Sequence, residues 1–216
     1  MVKLEKISIP NYTLGEELMN AISHGVGALL SIAGLVLLAV KSSTVIATVS
    51  SVLYGSIMIV LFTISCVYHA LSPRLKGKKV LRVIDHCNVL MMVAGTYLPI
   101  ALSLFGGALG WGLFGFVWAL TIPVVVLTAV NVDKFSVLSV IDNLILGWGI
   151  LLLIGPLRSV CPLEGIWLLV GGGIAYTVGS VLYGLGAKKK WFHSIFHFFV
   201  LLGALLHFFF IYFYCI

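Results

Sequence analysis

Eight ionisable side chains lie inside long apolar stretches of this sequence: His24, His69, Asp85, His86, Asp142, His193, His197 and His207. A charge at mid-bilayer costs about 2.5–3.5 kcal/mol on insertion scales, so each of them needs a reason. His193 and His197 suggest the sharpest one. Four residues apart on a helix, they are offset by about 40° and stand one above the other on a single face. Two imidazoles so placed can share one metal ion, as in the HExxH zinc motif. The intervening Ser194, Ile195 and Phe196 include no glutamate, so an acid/base group for such a metal must come from another helix. Taken alone, the pair also suits a polar interfacial cluster beside Lys188, Lys189 and Lys190.

The elements that carry these residues are membrane spans. Of 216 residues, 61% are apolar and only 9% charged, against about 25% charged in a soluble domain. Seven continuous apolar stretches run near 22–40, 45–71, 81–104, 108–130, 136–156, 163–186 and 191–215. Backbone groups in hydrocarbon must be bonded internally, so stretches of this length are helices; a barrel would need alternating segments of about 10 residues. The expected fold is an all-α, seven-helix transmembrane bundle over 22–216, preceded by an N-terminal segment, 1–21, with no room for a separate soluble domain.

Orientation follows from the basic residues. Lys3, Lys6, Arg74, Lys76, Lys78, Lys79, Arg82, Lys134, Lys188, Lys189 and Lys190 share one side, and only Lys41 and Arg158 lie on the other. Eleven against two places the N-terminus in the cytoplasm and the C-terminus outside. The net charge of +6 is thereby a topology signal, and nucleic acid is not an expected partner. Thr13-Leu14-Gly15-Glu16 reads as a capping box. Leu14, Leu18 and Ile22 then recur every four residues, with Glu16, Glu17 and Asn20 on other faces. This predicts a short amphipathic interfacial helix feeding the first span. No cleavable signal peptide is indicated. Cys66, Cys87, Cys161 and Cys215 have no metal-ligand spacing and suggest no disulfide.

Topology gives the histidine pair its partners. The second span ends on the cytoplasmic side with His69, the third begins there with Asp85, and the seventh begins there with His193 and His197. Three imidazoles at one depth match a catalytic zinc site, which keeps a fourth position for water. Asp85 is placed to bind that water or take its proton. Ser65, one turn from His69, is placed to contact Asp85, the water or a substrate carbonyl.

Ser65-Cys66-Val67-Tyr68-His69 resembles the SxxxH element of the hemolysin III and progestin/adipoQ receptor families. Asp85, within Arg82-Val83-Ile84-Asp85-His86-Cys87-Asn88, resembles their third-span aspartate, and His193-Ser194-Ile195-Phe196-His197 their seventh-span HxxxH. The run Tyr12-Thr13-Leu14-Gly15-Glu16-Glu17, leading to Ala21-Ile22-Ser23-His24-Gly25, resembles the bacterial hemolysin III branch. The resemblance implies a seven-helix bundle in a bacterial plasma membrane, zinc on His69, His193 and His197, and Asp85 on the zinc-bound water. The wider superfamily includes alkaline ceramidases, which hydrolyse a lipid amide.

The expected activity is a zinc-dependent hydrolysis of a lipid amide or ester whose substrate enters sideways from the bilayer, with Asp85 as base and Ser65 assisting at the carbonyl. The alternatives are a pore-forming, haemolytic membrane protein, or a receptor or sensor with structural zinc. A conducting pore needs polar residues along its length, and the outer halves of these spans are almost wholly apolar. Of the remaining residues, His86 lies about 100° around the helix from Asp85 and is expected to face elsewhere. His24 either borders the site or caps its helix, and Glu17 approaches the site from the interfacial helix. Asp142 serves substrate binding or a bond to a neighbouring helix. His207 is not expected to be a ligand, being too deep by about 15–20 Å.

Overall fold

Helices form wherever the apolar runs predicted them, and the first, third, fourth and fifth extend further than those runs. The structure, a computed structural model, describes residues 7–186 and 188–216; Lys3, Lys6 and the rest of 1–6 lie outside them. Among the described residues, seven helices are long and apolar enough to cross a membrane: Leu14–Lys41, Val45–Ala70, Lys76–Phe105, Gly107–Val130, Val132–Val160, Leu163–Gly186 and Phe192–Tyr214. No strand occurs among the described residues. The chain is a multi-pass integral membrane protein.

The helix starts have local causes. Thr13, Thr44 and Asn131 cap the first, second and fifth helices by accepting from backbone N–H groups, which satisfies orphan donors at each N-terminus. At Thr13 both halves of the capping box are formed with Glu16. The third helix contains Pro99, which has no N–H to give, and beyond it the coil widens into a π turn over Ile100–Phe105. Gly106 ends that turn at φ 60°, where a side chain would strain the backbone.

The stretch expected to form a short interfacial helix is helical but is not a separate element. It makes up the first turns of the 28-residue first helix, because no proline, glycine pair or polar break interrupts residues 14–41. Leu14, Leu18 and Ile22 point outward, while Glu16 and Asn20 are buried against the bundle. The polar edge of this amphipathic start thus faces inward. The third helix also begins earlier than its apolar run, at Lys76 in place of 81.

The first helix packs along the second and against the seventh, the sixth packs along the seventh, and the third lies between the second, fourth and fifth. Only 17% of the apolar window of the fourth and of the fifth helix is buried, so these two form the periphery. One end of the bundle is closed by Leu38, Tyr54, Phe210 and Ile211, all fully buried. At the other end, where the first, third, fifth and seventh helices begin, the buried residues include Glu16, Asn20, His24, Ser65, His69, Lys78, Arg82, His193 and His197. The chemistry of the molecule is concentrated there.

Candidate metal centre

His69 sits in the last turn of the second helix, and His193 and His197 in the first two turns of the seventh. Their four-residue spacing stacks the latter two on one face as expected, with Nε2 to Nε2 separated by 3.2 Å. One ring nitrogen from each of His69, His193 and His197 lies within 4.8 Å of the others. Metal–nitrogen bonds of about 2.0–2.1 Å at tetrahedral angles put ligand nitrogens about 3.4 Å apart. The seventh-helix pair is at that separation and His69 needs only a small approach. Nε2 of His69 is buried without a hydrogen-bond partner, an orphaned lone pair of the kind a cation satisfies. The donor set fits zinc.

A cavity of about 80 Å³ opens beside the cluster, walled by Ser65 and Asp85 as well as His24, His193 and His197. It has room for several water molecules. Ser65 and Asp85, from the second and third helices, face each other across this one cavity. All five residues singled out by the sequence therefore gather at one end of the bundle. A second cavity of about 90 Å³ shares Leu61, Val89, Asn143, Ser180, Phe196 and Val200 with the first. The two therefore adjoin, the second lying toward the middle of the bundle with largely apolar walls.

Two histidines differ in place from their sequence reading or are resolved by it. His86 does not face away; it lines the same cavity as Asp85, since that cavity is wide enough to span about 100° of the third helix. His24 borders the site, its ring 3.8 Å from that of His197 and edge-on to Phe62 at 5.0 Å. His207 stays apart: its Nε2 is 3.2 Å from the Leu169 carbonyl and its ring 5.3 Å from that of Tyr176. Asp142 has one buried carboxylate oxygen without a partner, and its neighbour Asn143 lines both cavities.

Sequence reading missed what closes the site. Tyr12 stacks on His193, with ring centroids 4.8 Å apart and planes 21° from parallel, and lies 5.9 Å from the His69 ring. Burial, and then the nearby Tyr183 and Glu17, push the Tyr12 phenol above its ordinary value, so it is a neutral group capable of donating a hydrogen bond. The segment that carries it is tied down at Ser8. The Ser8 N–H and hydroxyl donate to Asp133 at 3.1 and 2.9 Å, and Arg82 bridges the Ser8 carbonyl (2.8 Å) and Asp133 (2.7 Å). Residues 8–12 thereby form a strap over the histidines. On the far side of it, Trp191 adopts a left-handed backbone, φ 67°, and its N–H donates to Glu16 at 2.6 Å. The only sequence hint of any of this was the pair Glu16-Glu17 beside the capping threonine.

Comparison with known proteins agrees with this architecture. Residues 12–208 match the family model described as haemolysin-III related. Hemolysin-3 of Bacillus cereus is 36% identical over 213 residues, covering 97% of this chain and 96% of the relative. A hemolysin-3 homolog of Bacillus subtilis (strain 168) is 36% identical over 208 residues, covering 95% and 97%. The monocyte to macrophage differentiation factor of Homo sapiens is 24% identical over 204 residues, covering 91% and 83%. With the three span motifs in order and the match running from Tyr12 into the seventh helix, the chain belongs to the haemolysin-III related family.

Proposed function

We propose that this protein is a zinc-dependent membrane hydrolase that cleaves a lipid amide or ester, with its site at the cytoplasmic end of the bundle. The observation that carries this reading is the meeting of three imidazoles, ring nitrogens within 4.8 Å of one another, beside a cavity with room for several waters that His193, His197, Asp85 and Ser65 wall. His69, His193 and His197 would hold the ion. Bound there, zinc supplies Lewis acidity and activates water near neutral pH. The eleven basic residues at the N-terminal side support the cytoplasmic placement.

The remaining roles belong to the chain. Asp85 is the group that takes the proton of the attacking water and returns it to the leaving amine or alcohol as the acyl bond breaks. The products are then a carboxylic acid and that amine or alcohol. Ser65 holds Asp85 in place and offers a hydroxyl to the carbonyl oxygen. The apolar inner cavity, reached past Leu61, Val89 and Val200, receives the acyl chain. The Tyr12 strap covers the histidines from the aqueous side, which favours entry of substrate from the bilayer. The tightly packed far end, with Leu38, Tyr54, Phe210 and Ile211 fully buried, speaks against a continuous polar pore.

Two measurements test the proposal. Purified protein is expected to hold stoichiometric zinc, which His69→Ala, His193→Ala and His197→Ala each lose; unchanged zinc in all three variants ends the metal assignment. Native protein is expected to release fatty acid from ceramide or phospholipid, and Asp85→Ala to release little. Equal release from both removes Asp85 from the chemistry.

A further inference from the structure

The metal reading uses Nε2 of His69 and leaves Nδ1 to be explained. Nδ1 lies 2.7 Å from Oε2 of Glu17, in the first turn of the first helix, and 3.3 Å from the side-chain amide of Asn20, one turn further along it. The other carboxylate oxygen, Oε1, is 2.5 Å from Nζ of Lys78. The Lys78 side chain is fully buried and that of Glu17 is 12% exposed. Lys78 makes a second bond, at 2.8 Å, to the carbonyl of Leu71, the C-cap residue of the second helix. The ammonium also lies 5.1 Å from the centroid of the Tyr68 ring.

Each of these contacts constrains the next. A lysine this deeply buried is tolerated when paired and hydrogen-bonded, and Lys78 has both a carboxylate and a helix-end carbonyl. The Lys78 ammonium donates to Oε1 of Glu17 and leaves Oε2 to accept from a second donor. The shorter of the two contacts at Nδ1 is to a salt-bridged carboxylate oxygen, an acceptor, so His69 donates there through Nδ1–H, and the buried, unpartnered Nε2 is left with its lone pair for the cluster. That is the tautomer a metal ligand requires. Carboxylates in this relation to a ligating imidazole fix its orientation and raise its basicity. The same lysine pins the final turn of the helix on which His69 stands.

We infer that Glu17, held by Lys78, is a positioning residue that fixes His69 as the Nδ1–H tautomer and aims its Nε2 at the metal. This rests on the zinc reading given above. Its neighbour Glu16 receives the Trp191 N–H at 2.6 Å, immediately ahead of the helix carrying His193 and His197. Two successive glutamates of the first helix thus brace both elements that supply ligands.

The test compares zinc affinity of the full-length protein with that of Glu17→Gln, Glu17→Asp and Lys78→Met, by competition with a chromophoric chelator. Cobalt(II) absorption reports coordination geometry in the same samples. Glu17→Gln is expected to bind zinc about 10–100-fold more weakly with an altered cobalt spectrum. Lys78→Met is expected to show a comparable loss, and Glu17→Asp, which keeps the charge, a smaller one. Wild-type affinity and spectrum in Glu17→Gln would overturn the inference. Should that variant not fold, nitrogen-15 NMR of labelled histidine in the wild-type apo-protein decides: Nδ1–H at His69 is expected, and Nε2–H overturns the proposal. If the wild type and His69→Ala hold zinc equally, the zinc reading itself fails and this inference falls with it. If only Glu17→Gln behaves as wild type, the reading stands and the positioning role alone is lost.

Discussion

Gly172→Ala probes whether the sixth and seventh helices meet as described, because the space for one methyl group is measurable. A Cβ at residue 172 would lie 2.2 Å from Cδ2 and 2.3 Å from Nε2 of His207, far inside van der Waals contact. His207 cannot retreat freely: its Nε2 is 3.2 Å from the Leu169 carbonyl, and its ring packs edge-on against Tyr176. Overpacking of this kind costs about 1–3 kcal/mol. Losing the buried hydrogen bond adds about 0.5–1.5 kcal/mol. Alanine returns about 1 kcal/mol through helix propensity. The net destabilisation is about 0.5–3.5 kcal/mol, or roughly 1–14 °C in Tm for a chain of this size. In a His207→Ala background the clash disappears, and the same change should be neutral or stabilising by up to about 1 kcal/mol. Thermal unfolding of the four proteins in one detergent gives the double-mutant cycle, with an expected coupling of about 2 kcal/mol. An equal cost of Gly172→Ala in both backgrounds would refute the packing and, with it, the register that sets the depth of His193 and His197.

Chelation of zinc should lower thermal stability: a ligand at 1,000 times its Kd contributes about 4 kcal/mol, so EDTA is expected to shift Tm by roughly 8–16 °C, with no shift in His193→Ala. Tyr12→Ala should let a chelator strip zinc severalfold faster than from wild type, while Tyr12→Phe, which keeps the stacked ring on His193, should behave as wild type; equal rates in all three would show that the strap is no barrier. Asp133→Ala removes the acceptor shared by Ser8 and Arg82 and is expected to speed hydrogen exchange across residues 8–12 without changing exchange in the fourth helix. Thr13→Ala deletes a complete capping box and should cost about 0.5–2 kcal/mol, read as a lower Tm.

Much of the site was readable in the sequence because helix periodicity and span direction are strong constraints. Four-residue spacing alone puts His193 and His197 on one face, and the even alternation of spans brings His69 and Asp85 to the same end. The capping box at Thr13 was legible for the same local reason. Lys78 was not. It sits in a run of basic residues, Lys76 to Lys79 with Gly77 between, that reads as a loop, yet the third helix already begins at Lys76 and turns this one lysine inward. Its burial depends on the Leu71 carbonyl and Glu17, residues from two other helices, and no local pattern encodes that meeting. His86 was misplaced because an angle around one helix says nothing of how wide the neighbouring cavity is. The strap escaped notice since Ser8 and Asp133 are 125 residues apart, and a tyrosine ahead of a helix is commonplace.

The unbroken first helix has a mechanical consequence. Twenty-eight residues make a rod about 42 Å long, whereas the hydrocarbon core is about 30 Å thick. The surplus is absorbed by leaning, and the lean depends on how thick the surrounding bilayer is. Glu16 and Glu17 stand at the tip of this lever, where a given change of tilt produces the largest displacement. Lipid acyl length therefore bears on the geometry of the histidines through a rigid arm, and zinc affinity measured in bilayers of graded thickness would register it.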